Sequence, residues 1–188
     1  MKQRLLRLYE LKLTLMYVEP QVWRRVRVPC DITLAWLHEV IQIAMGWEDD
    51  HLHEFIIGRK RYGASMPDSF GLGDPPVDEE IVRLNGVAKP KAKFGYLYDF
   101  GDSWTHEVRI ERELESETGR REASCVAGEN ACPPEDCGGA GGYRNMLDIL
   151  AHPRRKQYGE IREWLGEDFD PGRFDADQAN KRLRRLKV

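Results

Sequence analysis

The chain has 188 residues, 41% of them hydrophobic and 32% charged, with a formal net charge of −3. That length can bury a core without disulfide or metal staples. The near-neutral balance excludes a generally basic, nucleic-acid-coating surface, and no apolar run reaches the length of a membrane span. Met1 to Leu5 lead into an alternating pattern and not into a continuous apolar signal core, so the chain is read as cytoplasmic. In that compartment the four cysteines, Cys30, Cys125, Cys132 and Cys137, are reduced thiols or metal ligands.

From Tyr9, the residues Leu11, Leu13, Leu15 and Tyr17 alternate with Lys12, Thr14 and Met16, which is the period of a strand with one buried face. After the turn signal Glu19-Pro20, Val22, Val26 and Val28 alternate with Trp23, Arg25 and Arg27, predicting a second strand that closes a hairpin. Thr33 can cap a helix in which Leu34, Leu37, Ile41, Ala44 and Met45 recur at helical spacing, and Gly46 can stop it. Leu52 to Ile57 read as a third strand, with His53, Phe55 and Ile57 on one face. Gly58 to Asp78, rich in Gly, Pro and Asp, read as a long surface loop.

A second hairpin follows: Tyr96, Tyr98 and Phe100, a turn at Gly101-Asp102, then Trp104, His106, Val108 and Ile110. Glu111 to Arg121 read as its charged, solvated arm. Beyond lie a Cys/Gly/Pro-rich connector and helical segments marked by Met146, Leu147 and Leu150, then by Ile161, Trp164 and Leu165 before Gly166. The last helix is capped by Asp175 and carries Lys181, Arg182, Arg185 and Lys187 on its polar face. The expected architecture is one α+β domain with a mixed or antiparallel sheet built from two hairpins and a further strand. One helix packs on that sheet, in a grasp-like roll or a similar arrangement. Within it, 7–122 form the sheet and packing helix, 123–142 the connector and 143–188 the helical tail.

Four groups of residues are candidates for chemistry. Strand parity aims His53 and His106 toward the apolar side, where an imidazole must find partners. With His51, Tyr98, Asp99, Asp102 and Trp104 they could line a ligand cleft or, through the carboxylates, hold a divalent metal. Their bland alternative is a pair of satisfied core-edge histidines beside a turn. Ser103 stands in a strand-to-strand turn without the G-x-S-x-G context of a serine nucleophile, and turn chemistry accounts for Gly101-Asp102-Ser103. Cys125, Cys132 and Cys137 offer three thiols to a zinc ion, but they lack the close C-x2-C pair of a zinc ribbon. The glycines from Gly138 to Gly142 could present amides to an anion, yet Glu135 and Asp136 would repel it, and no Gly-Lys-Ser/Thr follows. Basic clusters at Arg24-Arg25-x-Arg27, Arg59-Lys60-Arg61, Arg154-Arg155-Lys156 and Lys181 to Lys187 are interrupted by acidic runs and read as solvated faces.

Several short motifs occur together: Val22-Trp23-Arg24-Arg25, Leu37-His38-x-Val40-Ile41-Gln42-x-Ala44-Met45-Gly46-Trp47, and His51-Leu52-His53-Glu54-Phe55. With them come Tyr98-Asp99-Phe100-Gly101-Asp102-Ser103-Trp104-x-His106, Cys132-Pro133-Pro134-Glu135-Asp136-Cys137-Gly138-Gly139 and Trp164-Leu165-Gly166-x-Asp168-Phe169-Asp170-Pro171. This set resembles the plasmid ORF-3-like family first noted on an Ri plasmid, over nearly the whole chain. The resemblance implies a soluble α+β domain found in bacteria, archaea and mobile elements, and it brings no established activity. The leading expectation is therefore a non-catalytic binding or interaction domain using the His51, His53, Tyr98, Asp99, Asp102, Trp104 and His106 cleft. The rival is a metal-dependent hydrolase whose divalent ion sits among His51, His53, Asp99, Asp102 and His106. A third reading is a DNA-binding accessory protein of a mobile element. Protein or nucleic acid is the expected partner, with no role for a membrane.

Overall fold

The computed structural model describes residues 6–64 and 75–186. Expectations that fall on Met1 to Leu5, on the middle of the Gly58 to Asp78 stretch and on Lys187 lie outside the described residues.

The alternating leucines and valines do form a hairpin: β1 (Arg7–Leu15) and β2 (Trp23–Pro29) pair antiparallel, with Leu11 opposite Val26 and Tyr9 opposite Val28. β3 (His53–Ile57), β4 (Lys60–Gly63), β5 (Val77–Asp78), β6 (Lys93–Tyr98), β7 (Trp104–Glu115) and β8 (Ser124–Glu129) complete the set. Among the described residues these make one eight-stranded sheet in the order β5-β4-β3-β6-β7-β1-β2-β8. Of these neighbouring pairs only β4–β5 is parallel, so the sheet is mixed but mostly antiparallel.

One face of the sheet is apolar, and α1 (Leu34–Met45) buries its own apolar side there. The Thr33 hydroxyl accepts from Trp36 N at 3.2 Å, and Gly46, at φ 101°, donates its amide to the Gln42 carbonyl at 2.8 Å. Both helix ends are thus closed as the sequence predicts. Removing a Leu or Val side chain of this layer from water contributes ~1.5–3 kcal/mol. Register sets two cross-strand rows on this face. His53 lies opposite Tyr98, which lies opposite Trp104; Phe55 lies opposite Tyr96, which lies opposite His106. Leu15 of β1 stands on the far side of His106.

The opposite face carries charge ladders. The buried Glu10 carboxylate accepts from Arg27 and Arg112, each at 2.8 Å, and Arg25 pairs with Glu111 at 2.6 Å. Arg24 points the other way, into the core. Its guanidinium donates to the carbonyls of Ala44, Trp23 and Glu129 at 2.8 to 2.9 Å and stacks on Phe174 at 3.8 Å. The Arg24-Arg25-x-Arg27 cluster is therefore committed within the fold and is not a free basic patch.

Three segments depart from expectation. The Gly58 to Asp78 stretch contains β4 and β5, because a turn at Gly58 lets Lys60 to Tyr62 fold back along β3. The start of the supposed solvated arm is paired: β7 runs to Glu115, opposite Arg7 of β1, so its charges lie on a central strand. The connector begins with a strand, since β8 pairs with β2 despite a composition poor in β-branched residues. After it come α3 (Gly139–Leu150), α4 (Tyr158–Leu165) and α5 (Ala176–Leu183), preceded by the short α2 (Leu84–Val87) earlier in the chain. Asp175 caps α5 by accepting from Gln178 N at 3.0 Å. Asn180 of α5 accepts from Cys125 N and donates to Cys125 O, each at 2.8 Å, taking the place of a neighbouring strand on the β8 edge.

Candidate functional site

The turn between β6 and β7 is shaped by Asp99. Its backbone takes a positive φ of 56°, and its Oδ1 accepts from the amides of Gly101 at 2.8 Å and Asp102 at 3.2 Å. This leaves Oδ2 uncommitted to the turn. Asp102 acts differently, since its Oδ2 accepts from Gly138 N at 3.1 Å and so joins the turn to the connector. The Ser103 hydroxyl donates to the Phe100 carbonyl at 3.4 Å.

The connector lies over this turn through a run of contacts. The Trp47 indole donates to the Pro133 carbonyl at 2.9 Å, and the Tyr98 hydroxyl donates to Glu135 while accepting from Asp50 N at 3.1 Å. Burial and the adjoining Glu135 carboxylate push the Tyr98 phenol up. Asp136, next in the chain, places Oδ1 3.3 Å from His51 Nε2, and Asp99 Oδ2 stands 3.8 Å from the same nitrogen. Although Asp136 is within range, the atoms are not aligned as a hydrogen bond. His51 Nε2 is shielded from water and has no hydrogen-bond partner among the described residues. The donor atoms of His51, Asp99 and Asp136 all lie within 4.8 Å of one another. Tyr98 forms one wall, edge-on to the His51 ring at 5.9 Å, and Trp47 stacks behind Tyr98 at 4.9 Å.

A second group forms deeper along the same segment. His38 Nε2 lies 2.8 Å from Asp49 Oδ1, and His38 Nδ1 lies 2.8 Å from the Tyr96 hydroxyl, to which Gln42 Nε2 donates at 2.9 Å. The rings of His38 and His53 stack at 3.4 Å with 3° between planes, and His53 Nε2 lies 3.0 Å from the buried Glu79 carboxylate. Burial, reinforced by the charge of His53, holds His38 down to about 3, so its ring is neutral at physiological pH. Burial raises Asp49.

The predicted residues thus separate. His51 and Asp99 meet at the surface junction, His53 joins the deeper group, and Asp102 ties down the connector. Trp104 and His106 are core residues, each about 1% exposed. His106 Nδ1 lies 3.1 and 3.3 Å from the carbonyls of Trp104 and Tyr96, and burial holds its pKa down to about 4. Among the described residues, neither of the two convergent donor groups includes a cysteine. Burial pushes all three thiols up, Cys137 to about 12. Residue reading missed His38, Asp49, Glu79 and Asp136. For His38 a signal was present, since it falls four residues after Leu34 and three before Ile41, on the buried helical stripe. Asp49, His51 and His53 alternate along one short segment, which is the other signal.

Among the described residues no helix is long and apolar enough to cross a membrane. The chain is 43% identical over 174 residues to an uncharacterized protein, y4hQ, of Sinorhizobium fredii, covering 91% of this chain and 88% of that one. Its fold matches the crystal structure of a protein of unknown function from Methanosarcina mazei Go1 with a TM-score of 0.83 and 38% identity, covering 92% of this chain and 97% of that one. Residues 7–178 match the family described as plasmid pRiA4b ORF-3-like protein. Trp47, His51, Asp99 and Asp136, which meet at the junction, all fall within that match, and the chain belongs to the plasmid pRiA4b ORF-3-like family.

Proposed function

We propose that this protein is a non-catalytic binding domain that seats a divalent cation between His51, Asp99 and Asp136 and uses it to hold a ligand or partner. The observation that carries this reading is His51 Nε2, withdrawn from water and without a hydrogen bond among the described residues, facing two carboxylate oxygens at 3.3 and 3.8 Å. A buried polar atom left unpaired is costly, and two carboxylates facing one site repel. One cation relieves both. Asp136 is exposed, so an ion can arrive from solvent. With three protein ligands, it keeps open positions for a carboxylate or carbonyl of the bound partner. Leu52 and Phe100, exposed beside the turn, supply apolar surface at the rim.

Titration of the full chain with Zn²⁺ and Mn²⁺ by calorimetry tests the reading. The His51→Gln, Asp136→Asn double variant is expected to bind one equivalent fewer than wild type, with unchanged thermal stability in chelator. Equal stoichiometry and affinity in the two proteins would refute the seat.

A further inference from the structure

The deeper group has the organisation of a ligand set, and its case does not depend on the junction site. Its residues come from three places: His38 from the buried face of α1, Asp49 from the loop after α1, and His53 from the first position of β3. Their donor atoms lie within 4.8 Å of one another. Each histidine has one ring nitrogen engaged by a buried orienting group. Tyr96, itself fixed by Gln42, takes Nδ1 of His38, and Glu79 takes Nε2 of His53. An imidazole bound to a metal is ordinarily oriented in this way, with the other nitrogen held by a carboxylate or a hydroxyl. That leaves Nε2 of His38 and Nδ1 of His53 as the remaining donors. His38 Nε2 and Asp49 Oδ1 stand 2.8 Å apart, and an ion held by both takes the place of the one proton they share.

We infer that His38, Asp49 and His53 form a second metal site, selective for a divalent ion of the zinc class and distinct from the seat at His51. Two imidazoles and one carboxylate are the nitrogen and oxygen donors such an ion prefers, whereas calcium and magnesium favour oxygen-only sets. The Asp49 carboxylate is half exposed and gives the ion its route in. Coordination lies in the plane of an imidazole and the two rings are parallel at 3.4 Å, so sharing an ion tilts one ring out of the stack about the nitrogen that its orienting group holds. Bound there, the ion joins α1 to the segment from Asp49 to His53, and through Glu79 to the chain after β5. It thereby fixes the segment that also carries His51.

The test uses metal-free full-length protein titrated with Zn²⁺ and, as a spectroscopic probe, Co²⁺. Wild type is expected to hold two equivalents. Asp49→Asn, a half-exposed position that leaves the core intact, is expected to weaken one of them by ~10-fold or more, and Glu79→Gln to shift the Co²⁺ absorption of that same equivalent with a ~10-fold weakening. His38→Gln should abolish it. The variant lacking His51 and Asp136 as donors should lose the other equivalent and keep this one. If wild type binds one equivalent that survives Asp49→Asn and His38→Gln but disappears in the His51 and Asp136 variant, the second site is overturned and the junction seat stands. A single equivalent lost in Asp49→Asn and retained in the other variant supports this site and removes the junction seat. Unaltered Zn²⁺ and Co²⁺ binding in Asp49→Asn, His38→Gln and His53→Gln alike overturns the inference outright.

Discussion

A Cβ placed on Gly139 would stand 2.6 Å from the carbonyl oxygen of Asp102. The start of α3 therefore presses backbone to backbone against the β6–β7 turn, and this contact, with the Gly138 amide on Asp102 Oδ2, positions Asp136 over His51.

Gly139 also has a φ of +65°, so Gly139→Ala combines backbone strain with a clash against atoms that cannot swing aside. The expected loss is ~2–4 kcal/mol in urea unfolding. Gly141→Ala is the control: nothing lies within 4 Å of its added Cβ, so unchanged or higher stability is expected there. Unchanged or higher stability in both variants would show that helix propensity, and not the Asp102 contact, governs this segment.

Arg24 satisfies three carbonyls inside the fold, including that of Ala44 in the last turn of α1. Arg24→Met strands those acceptors and should cost ~3 kcal/mol or more. Arg24→Lys should recover less than half of this, because an ammonium cannot span the carbonyls while stacking on Phe174. Chemical denaturation of the three proteins side by side settles the ranking.

His106 is expected to make the fold acid-sensitive. The unfolded chain binds a proton near 6.5 that the buried ring refuses until about 4. Stability should be level above pH 6.5 and fall as the pH drops through that window, by up to ~1.4 kcal/mol per unit. His106→Gln starts less stable at pH 8 but should have a shallower slope by about one proton. His38, held down to about 3, titrates in the same sense and leaves a residual slope. Unfolding free energies between pH 8 and 4.5 provide the comparison, and parallel curves would count against His106.

Asn180→Ala removes both bonds to the Cys125 backbone and uncovers the edge of β8. A loss of ~1–2 kcal/mol is expected. Light scattering at high concentration should show self-association that wild type lacks, because an unpaired strand edge recruits other edges.

The elements that could be read directly are those whose signal is local. Leu11, Leu13 and Leu15 declare a strand by their period, and Thr33 and Gly46 close α1 where the residue chemistry says they must. β8 was not legible, because Ser124 to Glu129 carry little strand propensity and gain their conformation from pairing with β2. Arg24 reads as exposed, yet its strand parity turns it inward, where the end of α1 offers carbonyls. At the candidate sites, strand parity aims His53 and His106 at the core face, but register gives them different neighbours. His106 lies between Tyr96 and Leu15, walled in by apolar rows, while His53 sits at the strand end beside His38 and Glu79.

By itself the sequence determined the α+β class, the hairpins, the capped helix and the prominence of the segment from Tyr98 to Trp104. Only the tertiary structure decided that Asp136 reaches His51, that Asp49 reaches His38, and that Asp102 anchors the connector. The reason is physical. Periodicity is a property of neighbouring residues and decides which face a side chain takes. Convergence of donors depends on how separate elements dock, and at the junction that docking is set by close backbone packing at Gly138 and Gly139 that no local pattern encodes.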